Sequence, residues 1–121
     1  MSKSSITTKR ALKESRHSFR QKIVDGMRPI HPGEILLEDV IKPLGMTVHG
    51  FAGALHVPAT RMSEIVHRRR AVTADTALRL SCYLGTTPQF WLNLQTSYDL
   101  KIAEAESGLA IARDVRPRDA A

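Results

Sequence analysis

Residues 55–70 read LHVPATRMSEIVHRRR. Pro58 follows a valine, a turn of small and polar residues follows the proline, and three arginines close the stretch. Met62, Ile65 and Val66 stand three and four residues apart or less, which predicts a helix from Ala59 to His67 with one face turned to a core. Ala59, Thr60, Arg61, Ser63, Glu64, His67 and Arg68 are then expected to face outward. Spacing leaves two readings of that face: an amphipathic surface helix with a solvated basic end, or a helix that reads a polyanion. The second has a steric basis. Small side chains at the first turn permit approach to base edges in a major groove, and cations beyond the helix can meet phosphate.

Upstream, MTVHGFAGALH (46–56) predicts a short helix. Thr47 suits the N-cap, worth about 1 kcal/mol over alanine. Met46 and Phe51 are placed for a hydrophobic staple across that cap. Gly50 and Gly53 cost about 1 kcal/mol each in propensity, so tertiary packing has to hold this helix. The link to the next helix is only HV or HVP. Two helices joined by so short a turn form a helix-turn-helix unit. Ala52 allows close crossing, Met62 packs beneath it, and Leu55, Val57 and Ile65 complete the contact.

Three more helices flank this pair. Pro32 fits the first turn of a helix, with Glu34, Glu38 and Asp39 toward its start and Pro43 ending or kinking it near Lys42. Leu37, Val40, Ile41 and Leu44 mark its expected inward face. After the tight turn at Gly45 and the helix pair, Thr73 caps a fourth helix that Gly85 ends. Thr87-Pro88 opens a fifth and longest helix, with Trp91, Leu94, Tyr98 and Ile102 as a stripe for core or dimer contacts and Ser107-Gly108 as its end. The alternation of Leu109, Ile111 and Val115 then predicts a short strand stopped by Pro117. Five short helices with brief connections and no central strand make an all-α domain.

The 121 residues suit one domain with tails, divided as a basic N-terminal arm (1–27), a helix-turn-helix domain (28–106) and a C-terminal tail (107–121). Net charge is +6, which favours an acidic partner. The excess is uneven: residues 1–27 hold seven Lys/Arg against two acidic residues, whereas 28–106 hold eight of each sign. Any polyanion site in the middle must therefore come from local clustering. The arm carries Leu12, Phe19 and Ile23 on one helical stripe, and reads either as a frayed basic segment or as a helix that docks on a partner or on DNA. Its basic, Ser/Thr-rich start has a loose likeness to an organellar transit peptide.

The single cysteine, Cys82, excludes an internal disulfide and fits a reducing cytoplasm; it is expected to be a buried structural thiol. No apolar run is long enough for a membrane span. The five histidines, His17, His31, His49, His56 and His67, show no compact metal spacing, so no metal and no cofactor is expected. No nucleophile–base or paired-carboxylate constellation can be argued from position, so no enzyme is expected.

The segments HPGEILLEDVIKPLGMT, VPATRMSEIVHRRR and TADTALRLSCYLGTTPQFWLNLQTSYDL together resemble the HigA/VapI-type antitoxins of the Cro/CI-like (XRE) helix-turn-helix superfamily. The resemblance spans Met27 to Glu106. It implies a five-helix, lambda-repressor-like DNA-binding domain that acts as a homodimer on double-stranded operator DNA in its own promoter. It also implies a toxin partner, a RelE-like ribonuclease acting on translated mRNA. Carried over by position, the base-contacting turn falls on Ala59, Thr60, Arg61, Ser63 and Glu64. Phosphate contacts fall on Thr47, Val48, His67, Arg68 and Arg69. Two positions depart from the family: His56 and Arg68 stand where glycine is usual. Both places are expected to need a left-handed backbone, at a cost of about 1 kcal/mol for a residue with a side chain.

Particular roles keep alternatives. Arg61 can bind guanine bidentately or bind phosphate. Glu64 can accept from cytosine, or pair with Arg61 or Arg68 on its own helix. Three functions remain open at this level: a repressor and antitoxin that autoregulates its operon, a toxin-masking module with little DNA binding, and a solitary regulator without a toxin.

Overall fold

The computed structural model describes residues 28–119. The basic segment 1–27, with its expected helical stripe, lies outside them. The described residues form five helices and contain no β-strand, the all-α architecture expected.

The first helix, α1, is α-helical over Pro32–Ile35 and π-helical over Leu36–Ile41. His31 caps it: its Nδ1 accepts the Gly33 amide at 2.9 Å, and Pro32 occupies the first turn. The wider π-turn changes the inward face. Ile35, Leu36, Val40 and Ile41 are buried, two pairs five residues apart, which matches the i→i+5 period. Leu37 and Leu44, expected inward on a 3.6-residue period, are only partly buried against the core. Pro43 cannot donate a helical hydrogen bond, and the helix ends at Ile41 as expected.

Helix α2 spans Val48–Leu55 and α3 spans Ala59–Val66. Thr47 caps α2, its Oγ1 accepting the Gly50 amide at 2.9 Å. Phe51, Ala52, Leu55, Val57, Met62, Ile65 and Val66 form one buried cluster, so the two helices pack as a helix-turn-helix through the residues the spacing selected. Met46 is partly buried beside this core, and Phe51 meets it through Tyr83. The Tyr83 ring stands edge-on to Phe51 at 5.8 Å, and its hydroxyl donates to Met46 Sδ at 3.6 Å.

Helix α4 spans Ala74–Leu84, capped by Thr73 and ended by Gly85 at φ 78°. Its buried side is Thr76, Ala77, Leu80 and Leu84. Cys82 lies off that side and is exposed, not the buried thiol expected. Helix α5 spans Pro88–Asp114, capped by Thr87. Trp91 and Leu94 are buried, and the Trp91 indole donates to Thr86 Oγ1 at 2.8 Å. Tyr98 and Ile102 are half-buried.

The strand expected over 109–115 does not form, because α5 runs through Ser107 and Gly108 to Asp114. One glycine costs a helix only about 1 kcal/mol, and the alanines on both sides outweigh it. Chain geometry therefore has no break between 106 and 107. Among the described residues, no helix is long and apolar enough to cross a membrane.

Candidate nucleic-acid interface

Helix α3 is set in place by its surroundings. Gly33 on α1 lies against the Ile65 carbonyl of α3, so closely that a Cβ there would fall on that backbone. The Pro-Gly pair after His31 thus does two things: it starts α1, and it lets α1 press directly on the third helix.

The ends of three helices share one geometry. After α1, the Gly45 amide donates to Lys42 O and the Met46 amide to Ile41 O. After α2, His56 donates to Gly53 O and Val57 to Ala52 O; after α3, Arg68 donates to Ile65 O and Arg69 to Glu64 O. Each is the paired-bond Schellman ending, which requires a left-handed residue at its centre. Gly45 sits there at φ 69°, His56 at φ 56° and Arg68 at φ 63°. The two departures from the family pattern therefore keep the glycine-type backbone despite their side chains.

Arg68 stays in that conformation beside Glu34. Its Nη1 lies 3.5 Å from Glu34 Oε1, and Arg28 grips the same carboxylate through two bonds of 3.1 and 2.7 Å. The acidic partner accounts for the raised pKa of Arg28. Arg70 turns the other way and lies 2.8 Å from Glu64 Oε1. Glu64 thus pairs with Arg70, neither with Arg61 nor with Arg68 as expected; the left-handed turn at Arg68 swings the chain back so that Arg70 reaches it. The arginine run is not one solvated block. Arg68 serves α1 and Arg70 serves α3, while the Arg69 side chain makes no hydrogen bond or ion pair among the described residues.

On the outward side of α3, Thr60 is exposed, and Arg61, Ser63 and Glu64 are half-covered. Ala59 and Val48 are partly buried and pack on the core, so only part of each is available outside. His67 Nδ1 lies 2.7 Å from the Ser63 carbonyl and 3.5 Å from its hydroxyl, which fixes the ring along the helix. Arg61 points to α4: its Nη1 donates to Asp75 Oδ2 at 3.1 Å, and its side chain is 30% exposed. Arg79 Nε donates to the same oxygen at 3.0 Å, and its Nη1 donates to the Leu55 and His56 carbonyls at 3.1 and 3.2 Å. Arg79, then Arg61, hold the Asp75 carboxyl below its usual pKa. A shallow cavity lined by Arg61, Arg70, Thr73, Asp75 and Arg79 brings these cations together.

Sequence reasoning missed Arg79, Gln95, Gly33 and His31. Gln95 is buried on α5, accepts the Val72 amide at 2.8 Å and donates to Asp99 at 2.9 Å, which pins the loop after α3. His31 is buried, with its ring edge-on to Tyr98 at 4.9 Å. Burial is the main cause that lowers its pKa; Arg68 adds to it, and Asp99, the Arg70 backbone and Glu34 oppose it. A signal for Gly33 was present, since glycine one residue into a helix is poor for propensity and needs a packing reason. None marked Gln95.

No family model matches the chain. It is 56% identical over 80 residues to virulence-associated protein I of Dichelobacter nodosus, covering 66% of this chain and 74% of that one. Among solved structures it is similar to an addiction module antidote protein of the HigA family from Coxiella burnetii, at 49% identity and TM-score 0.71, covering 74% of this chain and 98% of that one. It is also similar to the Pseudomonas aeruginosa antitoxin HigA solved with the higBA promoter, at 41% identity and TM-score 0.73, covering 75% and 99%. With its five helices, its paired α2 and α3 and these relatives, the chain belongs to the HigA-type antitoxins of the Cro/CI-like helix-turn-helix superfamily.

Proposed function

We propose that this chain binds operator DNA as a homodimer, represses its own operon, and neutralises a RelE-like mRNA-cleaving toxin. The observation that carries the DNA reading is the α3 surface. The Thr60 side chain is exposed and half-covered Arg61 stands beside it; among the described residues, neither the Thr60 nor the Arg69 side chain makes a hydrogen bond or ion pair. A helix presented this way can place Thr60 and Arg61 at base edges, with Ala59, Ser63 and Glu64 lining the approach. Thr47, Val48, His67, Arg68 and Arg69 are assigned to phosphate, and the amides at the capped start of α2 add to that role. Relatives solved with promoter or operator DNA support the DNA-binding reading.

A dimer presents two copies of α3 about 34 Å apart, one per half-site. The exposed apolar residues of α5, Leu100, Leu109 and Ile111, favour a partner along that helix. The net +5 of residues 1–27 adds to DNA attraction. The cytoplasm is the place of action that this reading assigns.

An anisotropy titration with duplex from its own upstream region tests the repressor. The expected result is a site bound more tightly than random duplex, with affinity falling steeply as salt rises. Replacing Thr60 and Arg61 by alanine is expected to weaken discrimination by about 1–3 kcal/mol for a lost bidentate contact. Unchanged base preference rejects those two assignments. Co-expression with the product of the neighbouring reading frame tests the antitoxin role, and failure to restore growth counts against it.

A further inference from the structure

Resting on the DNA-binding reading above, we infer that Asp75 is a positioning residue for base recognition: from α4 it orients Arg61 of the reading helix without itself contacting DNA. Asp75 Oδ2 accepts from Arg61 Nη1 at 3.1 Å and from Arg79 Nε at 3.0 Å. Arg79 in turn donates through Nη1 to the carbonyls of Leu55 and His56, the last residues before the turn between α2 and α3. One carboxylate oxygen therefore links the base-reading arginine of α3 to the end of α2 through a second arginine.

The chemistry favours orientation over sequestration. A single contact at Nη1 leaves the Nε and Nη2 donors of Arg61 available, and a guanidinium needs two donors for guanine. The half-covered side chain has given up rotamer freedom before DNA arrives, so less is lost on binding. The two arginines offset the carboxylate, which would otherwise repel phosphate. Asp75 is exposed over more than half of its side chain, so its place is not explained by core packing.

The test compares wild type, Asp75→Asn, Arg61→Ala and the double variant. Each is titrated with the duplex that wild type selects from a randomised pool, and with a random-sequence duplex of equal length. Asp75→Asn is expected to bind random duplex as well or better, having lost a negative charge, while its preference for the selected duplex falls roughly fivefold or more. In the Arg61→Ala background the same change is expected to leave the preference untouched. Thermal melts run beside the titrations. A purely structural role lowers Tm and weakens both duplexes in parallel, and that outcome overturns the inference. Asp75→Asn with unchanged preference, or with the same loss whether or not Arg61 is present, overturns it as well and leaves the DNA reading intact. A wild-type chain that selects no duplex removes both.

Discussion

Helix α3 has eight residues and α5 has twenty-seven, and they are held in opposite ways. Helix α3 starts at Pro58 with no side-chain cap and is too short to be stable alone. Its place comes from neighbours: Gly33 against the Ile65 carbonyl, Asp75 on Arg61, Glu34 on Arg68, and Met62, Ile65 and Val66 in the core. Helix α5 has a Thr87 cap, Pro88 in its first turn and buried Trp91 and Leu94. Beyond Asp99 most of its larger apolar side chains stand out, Ile102 excepted, with Leu100 55% and Leu109 89% exposed. There it depends on the propensity of Ala103, Ala105, Ala110 and Ala112. A short helix fixed from outside is held in one pose, and a long helix with good propensity can rely on itself.

The same substitution at two glycines tests this contrast most directly. Gly33→Ala drives a Cβ into the backbone of α3, and should destabilise by about 3 kcal/mol as overpacking against an element that cannot yield. A urea melt that shows no loss would mean α1 does not press on α3. Arg68→Gly is expected to act the other way at the end of the same helix. Relief of the left-handed strain should gain about 1 kcal/mol, since Glu34 keeps its two bonds to Arg28 when the 3.5 Å contact with Arg68 is lost. DNA binding should weaken at the same time, with the salt slope reduced by about 1, which separates the backbone from the charge. Gly108→Ala on α5 meets only Glu104 Cβ at 3.8 Å, and should stabilise by up to about 1 kcal/mol. A loss there would show that a partner needs the small residue.

The smallest effect expected is a pH slope from His31, which caps α1 and meets the Tyr98 ring of α5 edge-on. Its pKa is lower folded than unfolded, so below the ordinary value of 6.5 the unfolded chain binds more protons. The contribution is complete above that pH and declines as pH falls through it toward the folded value. His31→Gln, compared with wild type by melts from pH 8 to pH 5, should flatten that slope.

Much of this was legible along the chain. Caps at Thr47, Thr73 and Thr87, the turn at Gly85 and the apolar spacing of α3 are local facts, and each appears where spacing placed it. The left-handed backbone at His56 and Arg68 was legible only through the family resemblance, in which glycine is usual at both places. Local reading failed at several places, the partner of Glu64 among them. It missed the π-turn that brought Leu36 inward, it placed Cys82 inside, and it stopped α5 at Gly108.

The sequence by itself determined where the helices from Val48 onward begin, their threonine caps and which side of α3 turns inward, since these depend on residues within a few positions of each other. Only tertiary structure decided the partners. Arg61 joins Asp75 fourteen residues on, Arg68 joins Glu34 far back, and Gln95 accepts the Val72 amide. Which charge meets which depends on how helices cross, and a crossing is set by side-chain shapes from several segments at once.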